Sequence, residues 1–284
     1  MEKKIKICAA AAVLIGLALV VAVIADPALR SPSVPSGVIG TPVGSAQLSQ
    51  LKAIALNSTL ANKVGVGSTF NGGHPNYPIA INGSSPLIVN GEAGVVYVSA
   101  DYCPYCAITR WGLVIALMRF GNFTGLKYMT SSPNDIDAST PTFTFSDSSY
   151  YSNNVYFDAV ETADINGKPL GTPDAIEKAT FERYDLNNSN LPAEDRGSIP
   201  FIDFGNSSFL LGAPVSPQLV QGKNWDQIIA LLNNTGSPIS QGVIGSADMI
   251  TAYICRINFN ISQTSACQQA YVKSIDNVVS IGKG

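Results

Sequence analysis

The apolar run Val95-Val96-Tyr97-Val98 leads, after one polar turn, into Cys103-Pro104-Tyr105-Cys106 and then a helix apolar on almost every side. This succession limits the fold more than any other part of the chain. A strand apolar at successive positions is buried on both faces and needs cover on each. The helix to Phe120 carries Ile108, Trp111, Leu113, Val114, Ile115, Leu117 and Met118, so it belongs inside a domain. It is too short for a membrane span and carries Arg110 and Arg119. Gly121 ends it. A buried strand feeding a buried helix implies an α/β domain.

Other elements fall around this centre. Ala46 to Val64 carries Leu48, Leu51, Ala55 and Ala61 among polar positions and predicts an amphipathic helix. Leu87-Ile88-Val89 and the turn Asn90-Gly91 predict a hairpin with the central strand. Strands are expected at 126–130, 143–145 and 155–160. Thr172-Pro173 has the form of a hydroxyl cap before a first-turn proline, which opens a helix to about Tyr184. A short strand begins at Pro200 and is paired by Phe209-Leu210-Leu211; helices follow at 225–232 and 247–257. No internal repeat is visible.

Before the domain, Lys3, Lys4 and Lys6 precede an apolar run from Ile7 to Ile24. As a helix it would extend about 27 Å, close to the hydrocarbon thickness of about 30 Å. The lysines would stay inside and everything after Asp26 would face outward. Residues 1–25 therefore read as a transmembrane signal anchor and 26–45 as a Pro/Ser/Gly-rich stalk. The competing reading is a signal peptide cleaved after Val23-Ile24-Ala25. Cys8 reads as a small apolar filler. Both readings export the rest. The sequons at Asn57, Asn82, Asn122, Asn187, Asn206, Asn233 and Asn260 suit a glycosylated surface protein. With a net charge of −3 and no basic run after the first six residues, nucleic acid is not an expected partner. No cofactor is expected, and His74, the only histidine, leaves too few ligands for a metal.

Cys103 and Cys106 are the candidate chemical site. As a structural bridge they would close a tiny loop and add little stability. At the start of a helix, free amides and the positive end of the dipole favour a thiolate on Cys103. Cys106, one turn further in, could then resolve a mixed disulfide. Cys255 and Cys267 read as a structural disulfide, with a second redox pair as the alternative.

Strand, Cys-Pro-Tyr-Cys, long helix and the later Ser198-Ile199-Pro200 resemble the thioredoxin superfamily. The resemblance implies a central mixed sheet with flanking helices. It makes Cys103 the nucleophile, Cys106 the resolving thiol and Pro200 a cis-proline. Beside it Ile199, with Tyr105, contributes to binding the substrate chain. More closely, residues 97–106, Arg110-Trp111, Arg119-Phe120-Gly121, Thr140-Pro141-Thr142-Phe143, Gly197 to Ile202, Asn224-Trp225 and Ile254-Cys255 resemble the prokaryotic domain of unknown function 929 family. On this reading residues 46–284 form one thioredoxin-like domain. It has an insertion at about 131–171 and a C-terminal helical extension at about 236–284. The implied function is a membrane-tethered thiol–disulfide oxidoreductase working on exported proteins, recycled by a membrane redox partner. The alternatives are a redox-inactive cell-surface binding or structural module and, less well supplied with ligands, a chaperone for a metal centre.

Overall fold

The computed structural model describes residues 36–69 and 77–281. The expected membrane anchor, the first half of the stalk, Cys8 and His74 lie outside these residues. Among the described residues no helix is long and apolar enough to cross a membrane.

A central mixed sheet carries the fold. Its strands are β1 (Ile79–Ala80), β2 (Ile88–Val89), β3 (Glu92–Ser99), β8 (Val155–Glu161), β9 (Phe201–Phe204) and β10 (Ser208–Leu211). Strand β3 lies parallel to β8 on one side and antiparallel to β9 on the other; β10 and then β1 continue beyond β9. The expected hairpin forms, with β2 antiparallel to the start of β3 through Ile88 opposite Ala93 and Val89 opposite Glu92. Its turn uses left-handed Asn90 and Gly91.

Because side chains alternate along a strand, β3 feeds two cores. Val95 and Tyr97 join the larger one with helix α3 (Pro104–Leu117), while Val96 and Val98 join a smaller one with Val160, Phe201 and Phe209. The smaller core is covered by Ile176 and Phe181 of α4 (Ala175–Phe181). Helix α3 is thus sandwiched, with the sheet on one side and α6 (Gly245–Ile254) on the other. Gly112 makes that second contact close, since a Cβ there would stand 2.8 Å from the Ser246 Cβ.

The predicted helix over 46–64 is two helices, α1 (Ser45–Leu56) and α2 (Ser58–Val64). Asn57 breaks them apart and caps the second by accepting from the Leu60 amide at 3.0 Å. The cap of α4 is Asp174 rather than Thr172: it shares a capping box with Glu177, two reciprocal bonds that a threonine two residues earlier cannot make. Helix α5 (Trp225–Leu232) has the expected bounds, fixed by the Asn224–Gln227 capping box.

The segment 131–171, expected as one insertion, is divided. Strands β4 (Gly121–Thr124) and β7 (Ser149–Ser152) form one antiparallel pair outside the central sheet, and β5 (Lys127–Thr130) and β6 (Pro141–Thr144) form another. Strand β8, however, pairs with β3 from Val155 opposite Ala93 to Glu161 opposite Ser99, so it is part of the central sheet. The β5–β6 pair is stapled to α3 by side chains. Trp111 Nε1 donates to the Pro141 carbonyl at 2.8 Å, and Thr142 Oγ1 to that of Ala107 at 2.7 Å. Trp225 Nε1 reaches the Thr142 carbonyl from α5 at 2.7 Å.

The C-terminal part is helical: α6, α7 (Phe259–Ser262) and α8 (Ala270–Ile281). Cys255, at the end of α6, and Cys267 form a disulfide. Closing a loop across a sequence separation of 12 contributes about 2–3 kcal/mol in the chain-entropy view. Replacing both cysteines by serine should lower the unfolding free energy in urea by about that amount; an unchanged midpoint would show that the loop is closed without the bond.

Asp203 gives a second test. It is fully buried in β9; its Oδ2 accepts from the Asn206 amide at 2.9 Å, and its Oδ1 has no partner among the described residues. Burial pushes its carboxyl up to about 7, against the Gly205 and Asn206 amides that pull it down. The folded state therefore holds a proton that the unfolded chain releases near pH 4, and stability falls as pH rises from about 4 to about 7. Asp203→Asn should flatten this decline in urea titrations at successive pH values, and a slope identical to wild type would count against it.

Candidate active site

Strand β3 and helix α3 place the two cysteines by backbone alone. The chain leaves β3 at Ser99, turns through Asp101 and Tyr102, and enters α3 with Cys103 as its N-cap and Pro104 in the first turn. The turn is held from both sides. The Asp101 amide donates to the Ala163 carbonyl at 2.8 Å, and the Ser132 amide donates to that of Tyr102 at 3.0 Å.

Cys103 and Cys106 are both thiols, and their surroundings differ. Cys103 is 7% exposed and Cys106 is sealed. Cys103 Sγ accepts from the Cys106 amide at 3.2 Å. The Cys106 thiol as hydrogen-bond donor lowers the Cys103 pKa most; burial opposes it, while the Cys106 amide and the Arg110 charge also lower it, to about 7. Burial pushes the Cys106 thiol well up, and the hydrogen bond and negative charge of Cys103 push it further. A barely exposed, easily ionised sulfur thus precedes a sealed one that keeps its proton. The Tyr97 hydroxyl, also buried, donates to the Cys106 carbonyl at 3.2 Å.

Arg110, one turn after Cys106, has no solvent contact. Its Nη2 is 3.1 Å from Glu161 Oε1 and 3.3 Å from Asp101 Oδ1, and it also donates to the Ala100 carbonyl at 3.2 Å. Burial works against its charge, but Glu161, Tyr97 and Asp101 outweigh that and raise its pKa. Glu161 further accepts from the Phe145 amide at 3.0 Å, the Ser146 amide at 3.1 Å and the Thr144 hydroxyl. Burial first, and then Glu161, push the Asp101 carboxyl up to about 7 against the pull of Arg110.

Ile199 and Pro200 lie at the same end of the sheet as the cysteines. Val98 near the end of β3 pairs with Phe201 at the start of β9, so the Cys103 turn and Pro200 extend from adjacent strands. The Ile199–Pro200 peptide bond is cis. Among the described residues neither the Ile199 amide nor its carbonyl has a hydrogen-bond partner. Tyr105, between the two cysteines, is 46% exposed, and Tyr102 beside it is also exposed. Cys255 and Cys267 belong to a separate place, the end of α6. Among the described residues no group of three or more His, Cys, Asp or Glu side chains could hold a metal ion.

The charge network under the cysteines is what sequence reading did not find. A signal existed: an arginine on a helix apolar all round requires a buried counter-charge. Its partners, Asp101 and Glu161, carry no mark in the sequence that ties them to it.

No curated protein and no solved structure matches the chain. The sequence model of the family described as "Domain of unknown function (DUF929)" matches residues 79–256, well over half of the chain. The match begins at β1, takes in the whole central sheet and both site cysteines, and ends just after Cys255. The chain belongs to the DUF929 family.

Proposed function

We propose that this protein is a thiol–disulfide oxidoreductase with a thioredoxin-like fold, tethered to the cell membrane and acting on exported proteins. The observation that carries the reading is the inequality of the two cysteines: Cys103 is slightly exposed at a helix N-cap and easily ionised, Cys106 is sealed and hard to ionise. The sheet order β8-β3-β9-β10, with only the β3–β8 pair parallel, supports the thioredoxin-like reading. So does the site's place between β3 and α3, beside the Ile199–Pro200 turn.

In the reducing direction the Cys103 thiolate attacks one sulfur of a client disulfide. A Cys103–client bond forms, and the other client sulfur leaves as a thiolate and takes a proton. Cys106 then gives up its proton and attacks Cys103 Sγ, which releases the second client thiol and leaves a Cys103–Cys106 disulfide. Two electrons pass to the client; in reverse the same steps oxidise it. The Ile199 amide and carbonyl are placed to take an extended client backbone, and Tyr105 to lie against its side chains. A dithiol or disulfide of a membrane partner restores the site.

Export follows from the Lys3–Ile24 pattern. The exposure of Asn57, Asn82, Asn122, Asn187, Asn233 and Asn260 is compatible with glycosylation; Asn206 is half-buried, and its side chain donates to the Ser85 carbonyl at 3.3 Å.

Alkylation of the reduced protein should show one fast thiol, with a rate midpoint near pH 7 that disappears in Cys103→Ser. Cys106→Ser should accumulate mixed disulfides through Cys103 when its reduced form is mixed with client proteins that carry a disulfide. Uniformly slow alkylation, or trapping that needs Cys106 as attacker, would remove the assignment and leave a redox-inactive surface module.

Fractionation with intact-mass analysis tests the tether. The full chain should stay with the membrane, and Cys103 should label from outside intact cells. A soluble protein beginning at Asp26 would show a cleaved signal, and labelling only after membrane disruption would reverse the topology.

A further inference from the structure

The loop bearing Ile199 and Pro200 is held by a carboxylate that takes no part in the thiol chemistry. After α4 the helix widens into a π-turn, Glu182–Leu186, closed by the Asn187 amide donating to the Glu182 carbonyl at 2.8 Å. Tyr184 and Asp185 of this turn are both buried. Tyr184 stacks on Phe209 of β10, with ring centroids 6.1 Å apart, and so ties the turn to the sheet. Asp185 has no solvent exposure, and its Oδ1 accepts from the Gly197 amide at 2.7 Å. Its Oδ2 is buried with no partner among the described residues.

A sealed carboxylate with one oxygen unpaired is costly to keep. Burial pushes its pKa up, while the Gly197 and Ser198 amides pull it down. Gly197 is left-handed at φ +81°, and a Cβ there would meet Leu186 Cδ2 at 3.3 Å. The other side-chain bonds of residues 191–198, Arg196 to the Leu191 carbonyl and Ser198 Oγ to that of Asp195, stay within that stretch. Asp185 is the bond that joins it to the helical layer, two residues before Ile199. π-turns are frequent at functional sites.

We propose that Asp185 is a positioning residue that presents the Ile199–Pro200 backbone to extended polypeptides, and that it sets a preference for polypeptide disulfides over small ones. The proposal rests on the oxidoreductase reading above. A small disulfide needs only the Cys103 sulfur, whereas a polypeptide also needs the loop at the right height.

The test compares wild type, Asp185→Ala, Asp185→Asn and Gly197→Ala as full-length chains. One substrate is a short peptide whose cysteine carries a nitrothiobenzoate leaving group; the other is the symmetric nitrothiobenzoate disulfide. Asp185→Ala should slow the peptide reaction about tenfold and the symmetric reagent by less than about twofold. Asp185→Asn, whose amide oxygen still accepts from Gly197, should recover most of the loss. Gly197→Ala should show the same selective defect, and it decides the matter where Asp185→Ala does not fold. Equal slowing of both substrates, or no slowing of the peptide, would overturn the positioning role. A wild-type protein inert to both reagents would overturn the oxidoreductase reading itself, and this proposal with it.

Discussion

A guanidinium on a helix without a solvent face has to find its counter-charge inside the fold, because an unpaired buried charge is among the costliest things a protein can contain. Arg110 meets that demand by drawing three segments to one point on its helix. Asp101 comes from the turn after β3, Glu161 from the end of β8, and Thr144 to Ser146 arrive through their bonds to Glu161. The parallel pairing of β8 with β3 and the placing of the β5–β6 pair against α3 both converge on this charge. Arg119 acts alike just beyond the C-terminal end of the helix. It pairs with Asp248 of α6, donates to the Ala55 carbonyl of α1 at 3.2 Å, and lies 4.8 Å from the ring centre of Tyr271 of α8. Helix α3 is thus anchored at its middle and just beyond its C-terminal end by charges with almost no access to water.

The same economy of charge explains a feature of composition. Only 13% of the chain is charged, yet Arg110, Arg119, Glu161, Glu177, Asp185, Asp203 and Asp248 are all buried. The surface is wetted by Ser, Thr, Asn and Gly, which leaves ion pairs few chances outside. Surface pairs such as Lys127 with Asp147 and Lys178 with Glu182 contribute little. Stability is concentrated in the interior, around the strand and helix that carry the cysteines.

What could be read from the sequence follows from how local its physical cause is. The β2–β3 hairpin, the β9–β10 pair and α5 are set by turn residues and caps within a few positions, and they stand where the pattern put them. Strand β8 does belong where a strand was expected, but its membership in the central sheet was hidden. Tyr156 and Asp158 give it a half-polar look, and two peripheral strand pairs separate it from α3 in sequence. The break at Asn57 was masked because the apolar spacing runs through it. Within the site, Cys103 and Cys106 declare themselves by spacing and by the strand before them. Arg110 served only to argue against a membrane span, though the same argument calls for a buried partner. Asp185 sits in a polar stretch with no periodicity and becomes visible only when Gly197 folds back onto it.

The thiols and the scaffold share one electrostatic system. Arg110 lowers the pKa of both sulfurs while it also holds Asp101 and Glu161 in place, so reactivity cannot be tuned through it without moving the foundations of the sheet. The difference between Cys103 and Cys106 has another source, their unequal access to water and the direction of the hydrogen bond between them. That difference can be adjusted by residues at the rim, such as Tyr102 and Tyr105, at little cost to the core. A fold built this way keeps its charge fixed at depth, while Tyr102 and Tyr105 stay exposed at the rim, outside that network.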